Sequence, residues 1–149
     1  MAKEFKGRVV LAEDWSGEAI VSTVGVNTLA TFQKSAMKNN PKEALCGDQN
    51  NPELYGRNLT GKALCLPQTI GSTTGGMVLQ TACDMGIAPA AMLFSEHIDS
   101  LAAAGIILAA VWGKNQIIAI DCLGEEFLAY VKSGMRVQID KDGTVRVEG

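Results

Sequence analysis

Ser72 is the residue about which chemistry can be assembled. It stands in Gly71-Ser-Thr-Thr-Gly-Gly76, directly after the apolar run Leu64-Cys-Leu66, Pro67 and the polar Gln68-Thr69. A serine hydroxyl acts as base or nucleophile only when something activates it. A helix N-terminus favours an anion by about 0.3–2 kcal/mol. At about 1.4 kcal/mol per pKa unit, that lowers a hydroxyl pKa by little more than one unit. An alkoxide therefore needs nearby cations or further donors, and Gln68–Gly76 contains no Lys or Arg. Catalysis at Ser72 thus calls for groups supplied by another chain. The glycines also lack the Gly-Lys-Ser/Thr ending of a phosphate loop, the Gly-x-Gly-x-x-Gly spacing and the Gly-x-Ser-x-Gly elbow.

The elements that must position Ser72 follow from local pattern. Lys62–Leu66 reads as a buried strand that Pro67, which lacks an N–H, terminates. Ser72 or Thr73 suits an N-cap for a helix over Ser72–Met85, with Gly86 as its C-terminal stop. Gln68–Gly71 then joins the carboxyl end of a strand to the amino end of a helix. Ligands bind at such places in open α/β sheets, and anions are favoured at helix N-termini.

Other reactive residues are scattered. His97, the only histidine, has Glu96 and Asp99 for neighbours; it reads as a surface or capping residue, with general acid–base work as the sharper alternative. Asp48 suits either a ligand contact or an Asx turn. Cys46, Cys65, Cys83 and Cys122 are widely spaced without a Cys-x-x-Cys pair. They predict neither a zinc site nor an internal iron–sulfur site, and read as free thiols of a reducing cytoplasm. No metal is expected on this chain. Trp15 and Trp112 read as structural.

A length of 149 residues suits one domain, expected over 1–149, with a hydrophobic fraction of 47% and a charged fraction of 19%. A net charge of −3 and an aromatic content of 5% argue against a nucleic-acid partner. The charged start Met1-Ala-Lys-Glu-Phe-Lys6 is no signal peptide, and the longest apolar run, Leu101–Trp112, is too short to span a bilayer. A cytoplasmic protein with no membrane contact is expected.

Along the chain, Phe5–Leu11 and Gly17–Thr23 read as strands joined in a hairpin through Asp14–Gly17. Val24–Asn58 is rich in turns apart from a short helix over Thr31–Lys38; a stretch this long predicts a site or a subunit interface. Ala90–Ser95 and Gln116–Ile120 read as core strands. Leu101–Ala110 reads as a short helix leading into the interior. Glu125–Ser133 reads as a helix burying Phe127, Leu128 and Val131, stopped by Gly134. Met135–Asp140 and Thr144–Glu148 pair across Lys141-Asp-Gly143. The expected fold class is α/β, a mixed sheet with terminal hairpins and a barrel-like closure.

Gly61-Lys-Ala-Leu-Cys-Leu-Pro-Gln-Thr-Ile-Gly-Ser-Thr-Thr-Gly-Gly-Met-Val-Leu79, Gly86-Ile-Ala-Pro-Ala-Ala91 and Ala104-Gly-Ile-Ile107 together resemble the small, swivelling-domain subunit of aconitase X. Lys6-Gly-Arg8, Ser16-Gly-Glu-Ala-Ile-Val-Ser22 and Gly134-Met-Arg-Val-Gln-Ile-Asp140 extend the likeness over nearly the whole chain. The resemblance implies a swivelling β/β/α domain of aconitase type that closes over a large subunit, as a heterodimer or higher assembly. It implies an iron–sulfur cluster held by the large subunit and not by this chain. The implied reaction is dehydration of a small-molecule hydroxy acid, with Ser72 as the base or the residue orienting proton transfer. Gly71, Thr73 and Thr74 would present N–H or hydroxyl donors to a substrate carboxylate.

Three segments depart from the family pattern. Gln68-Thr-Ile70 stands where many members carry Arg or Lys and an extra glycine. Asn27-Thr-Leu-Ala-Thr-Phe-Gln33 replaces a Ser-Phe-x-Gly-Gly-x-Asp-Pro segment, and Asp48-Gln-Asn-Asn-Pro-Glu-Leu-Tyr-Gly56 keeps only part of an Asp-x-x-His-Pro-Leu-x-Gly pattern. Loss of the basic residue favours cis-3-hydroxy-L-proline as substrate over mevalonate 5-phosphate. The alternatives are a mevalonate 5-phosphate dehydratase small subunit, or a non-catalytic anion-binding or regulatory swivel module.

Overall fold

Two stretches of chain each change partner half-way along, and that wraps the sheet round on itself. The computed structural model describes residues 2–27, 30–32, 46–48, 51–70, 81–83, 87–98, 100–112 and 116–148. The first stretch is β1 (Ala2–Lys6) and β2 (Arg8–Leu11), separated only by Gly7. β1 pairs antiparallel with β10 (Thr144–Glu148), whereas β2 pairs antiparallel with β8 (Ile118–Asp121). The second stretch is β3 (Trp15–Val21). Its first half pairs antiparallel with β9 (Arg136–Ile139), and its second half parallel with β5 (Ala63–Leu66). The strand order is β1-β10-β9-β3-β5-β7-β8-β2, with β7 at Ala91–Phe94. Its two ends are successive strands of one chain segment, so the sheet is barrel-like, as expected. A short parallel ribbon joins β4 (Val26–Asn27) to β6 (Thr69–Ile70).

The expected hairpin between the first strands does not form. β2 takes β8 and β3 takes β9 and β5, because burying both faces of the central strands needs long-range partners. Gly7 permits the crossing from one pairing to the other. A Cβ there would lie 2.5 Å from the Asp121 carbonyl oxygen and 2.6 Å from Ile120 Cγ2. Gly7→Ala should therefore cost about 1–3 kcal/mol of stability, read from chemical denaturation, by over-packing the seam. A variant as stable as the parent would mean that the seam yields freely.

The second half of β3 and the parallel strands β5, β7 and β8 are buried on both faces, which explains their near-continuous apolar text. Ile20, Leu64, Leu66, Met92, Phe94 and Ala119 point to one core, shared with Phe32, Leu54, Leu59, Ala82, Ile87, Ala102 and Ile106. Ala19, Val21, Cys65, Leu93, Ile118 and Ile120 point to the other, against Phe127, Val131, Val137, Ile139, Val145 and Val147. The layers are thus antiparallel strands, parallel strands, then helical segments. That is the expected β/β/α arrangement. Each fully buried Leu, Ile or Phe contributes about 1.5–3 kcal/mol.

The helices differ in detail from the sequence reading. α1 spans Ser100–Trp112 and buries Ala102 and Ile106, but Ala104, Ile107 and Val111 on its far side are exposed. It lies along the surface and does not lead into the interior. α2 spans only Glu125–Tyr130, shorter than Glu125–Ser133. Val131 turns to extended backbone at ψ 136°, which places its side chain in the core; Gly134 belongs to the turn before β9. Residues 81–83 are helical, as the reading over Ser72–Met85 requires, and Ile87 N–H donates to the Ala82 carbonyl at 3.0 Å. Gly86 lies outside the described residues, as do 33–38 of the expected Thr31–Lys38 helix. The C-terminal hairpin forms as read, with Gly143 at φ 96° and the Asp142 carboxylate accepting from Thr144 N–H at 2.9 Å.

Candidate functional site

The carboxyl ends of the parallel strands lie side by side, and the loops that leave them are stitched together by backbone. Ser22 N–H donates to Cys65 O (2.9 Å), Ser95 N–H to Leu66 O (3.0 Å) and Glu96 N–H to Pro67 O (3.3 Å). Cys122, Leu123 and Gly124 N–H donate in turn to Glu96 O, Phe94 O and Ser95 O at 2.9–3.1 Å. Val26 N–H donates to Gln68 O at 3.0 Å, and the β4–β6 ribbon holds Ile70 beside Asn27. The chain is thus fixed at this edge up to the residue before Gly71. Gly71, Ser72, Thr73 and Thr74 themselves lie outside the described residues. Their attachment point is the carboxyl edge of a parallel sheet, where such folds bind ligands.

The edge is lined by Ser22, Asn51 and Glu53 from the turn-rich stretch. Asn51 Nδ2 donates to Ser22 Oγ at 3.0 Å, and Glu53 Oε1 accepts from both the N–H and the hydroxyl of Thr23, at 2.8 and 2.9 Å. The described part of Val24–Asn58 therefore packs beside the end of β3 and, through β4, beside Thr69 and Ile70. Asp48 is buried and engaged within the fold, not displayed to a ligand.

Three residues converge further along the same edge. Asp121, at the end of β8, is wholly buried and accepts from Arg8 Nε (2.9 Å), Arg8 Nη2 (2.7 Å) and Ile98 N–H (2.8 Å). Arg8 Nη2 also lies 3.0 Å from His97 Nε2. Guanidinium can only donate, so Nε2 accepts and the imidazole carries its proton on Nδ1, 2.7 Å from the Ile98 carbonyl. Both ring nitrogens are committed, and His97 is an exposed structural residue rather than a free acid or base. Its expected neighbour Asp99 lies outside the described residues. Burial opposes ionisation of Asp121, but the Arg8 hydrogen bond, the Ile98 N–H and the charge of Arg8 outweigh it and hold the carboxyl below its ordinary value. Arg8 and Asp121 are 113 positions apart, so nothing local in the sequence signals this pair.

The cysteines do not suit a cluster. Cys46, Cys65 and Cys83 are buried, and Cys122 is exposed. Burial pushes the Cys46 and Cys65 thiols up, and burial with the Asp121 charge does the same to Cys122. Iron–sulfur ligands must be thiolates. Among the described residues no three His, Cys, Asp or Glu side chains are grouped to hold a metal ion. The residues present do not fit an iron–sulfur group carried by this chain. No helix of the described residues is long and apolar enough to cross a membrane.

The model of the aconitase X swivel domain matches residues 4–147. The chain belongs to this family. A cis-3-hydroxy-L-proline dehydratase of Pseudomonas aeruginosa is 34% identical over 120 residues, which are 80% of this chain and 19% of that protein. This swivel domain thus spans about a fifth of the length of that relative. A phosphomevalonate dehydratase small subunit of Pyrococcus furiosus is 28% identical over 137 residues, covering 92% of this chain and 89% of that one. In three dimensions, the crystal structure of Thermococcus kodakaraensis aconitase X in its holo form superposes with a TM-score of 0.80, at 24% identity and 99% coverage of both chains. That likeness gives the fold, and it agrees with the layered sheet seen here.

Proposed function

We propose that this swivel domain is the small subunit of an aconitase X-type hydro-lyase, active only with its large subunit. The observation that carries the reading is the family match across residues 4–147, with relatives that are dehydratases or dehydratase small subunits. Ser72 is the catalytic residue contributed to the shared site. Elimination breaks a C–H bond next to a carboxylate and a C–O bond at the neighbouring carbon. The electron pair from the C–H bond forms the double bond, while the hydroxyl leaves with the C–O pair and takes up one proton, so that H and OH are lost together as water. Ser72 takes or orients the proton, while Gly71, Thr73 and Thr74 donate to the substrate carboxylate. The iron–sulfur cluster belongs to the large subunit, since the cysteines here are unsuited to it.

Cis-3-hydroxy-L-proline is the favoured substrate, because Gln68-Thr-Ile70 carries no cation for a phosphate. Mevalonate 5-phosphate is the second reading, supported by the archaeal relative's name. The complex works in the cytoplasm without nucleic acid or membrane, as one swivel domain over residues 1–149. The test is anaerobic co-expression with the large subunit and assay of both compounds. Turnover of hydroxyproline alone is expected. Turnover of the phosphorylated compound alone would reverse the substrate order, and turnover of neither by a stable complex would leave the module as a binder or regulator.

A further inference from the structure

α1 is built as if its outer face were not meant for water. A surface helix normally sets polar residues opposite its core stripe. Here Ala102 and Ile106 face the core, and the opposite arc holds Ala104, Ile107 and Val111, the last two 49% and 66% exposed. The thirteen residues SLAAAGIILAAVW include no Asp, Glu, Lys or Arg. A cleft of ≈ 320 Å³ runs past the start of the helix, lined by Arg8, Val10, His97, Ile98 and Ala103. At the head of this cleft the Arg8 guanidinium is clamped by Asp121 and His97 through Nε and Nη2. Among the described residues no hydrogen bond uses Nη1, and the side chain is 54% exposed. A fixed, half-exposed guanidinium is suited to one further carboxylate.

We propose that the outer face of α1, with Arg8 at its head, is the seat of the large subunit. The inference rests on the proposed function and specifies which face the partner covers. Two observations favour this occupant over another. The face begins at the carboxyl edge, where the large subunit must complete the Ser72 site, and α1 carries it about 20 Å away along one side. In the P. aeruginosa relative the swivel region is 19% of the protein, so most of that chain is available to pack against it. The partner segment is aliphatic and carries an Asp or Glu placed to meet Arg8 Nη1.

The test is a binding titration of the purified chain against its large subunit, with the parent, Ile107→Glu/Val111→Glu and Ser72→Ala. The double variant changes two exposed side chains, so its circular dichroism and melting temperature should match the parent. Its affinity for the large subunit should fall roughly 30-fold or more, as expected for charges placed in an apolar contact, while Ser72→Ala binds as the parent does. Unchanged affinity of the double variant would overturn this assignment and leave the proposed function standing. So would a parent that self-associates and becomes monomeric in the double variant at unchanged large-subunit affinity, which would give the face to a second copy. A parent that does not bind the large subunit at all would overturn the proposed function, and this inference with it.

Discussion

Ser72→Ala should lower turnover of the reconstituted complex by about 10²–10⁴-fold, the usual contribution of a positioned proton-transfer group, while leaving folding and subunit binding unchanged. The expectation follows from two independent features. The family match runs across the position of Ser72, and the described backbone fixes the chain at the carboxyl edge up to Ile70, beside Asn27. The measurement is kcat and KM on the substrate that the parent turns over, with complex formation followed in parallel. A loss confined to kcat supports proton transfer. A variant complex that dehydrates normally would remove Ser72 from the catalytic role.

Asp121→Ala should be strongly destabilising, at about 2–4 kcal/mol. It leaves the buried Ile98 N–H without its acceptor and opens a small void, each a cost of order 1–2 kcal/mol. For a chain of this size the melting temperature should drop by roughly 5–15 °C. Asp121→Asn tests the electrostatic part. The folded-state pKa of Asp121 lies below its unfolded value, so its ionised form stabilises the fold above about pH 4, and that contribution is lost as pH falls through the folded value. The stability gap between parent and Asn variant should therefore be widest near neutrality and shrink below pH 4. Thermal melts from pH 3 to 7 would reveal it. A gap independent of pH would mean that shape, not charge, makes the position matter.

Much of the fold is legible in the text because its signals are local. Lys141-Asp-Gly143 specifies the last hairpin, the doubly apolar runs at Ala63–Leu66 and Ala91–Phe94 mark strands buried on both faces, and Pro67 ends the first of them where expected. What the text hides is pairing at long range. Nothing near Gly7 announces that the strand on one side of it joins residues 144–148 and the strand on the other joins residues 119–121. The same blindness applies to Arg8 and Asp121, which looked unremarkable until β2 and β8 met. The apolar run at Leu101–Ala110 misled in another way: composition suggested interior, but composition does not say what else covers a helix. The serine loop lies outside the described residues; its glycines and the strand before it point to a ligand site, and its proposed catalytic role rests on the family likeness, since no local spacing carries it.

The pairing of β1 with β10 also bears on how the chain comes to be folded. Residues 2–6 are synthesised well before their partner, residues 144–148, and β3 well before β9. Folding of such a topology closes large loops before contacts reward it, which makes it slow. During that interval Val9, Val10 and Leu11 are an unpaired apolar strand. Vectorial synthesis thus gives this domain no early foothold in its own first strands. Chaperone dependence should therefore track the interval between synthesis of β1 and β2 and synthesis of their partners β10 and β8.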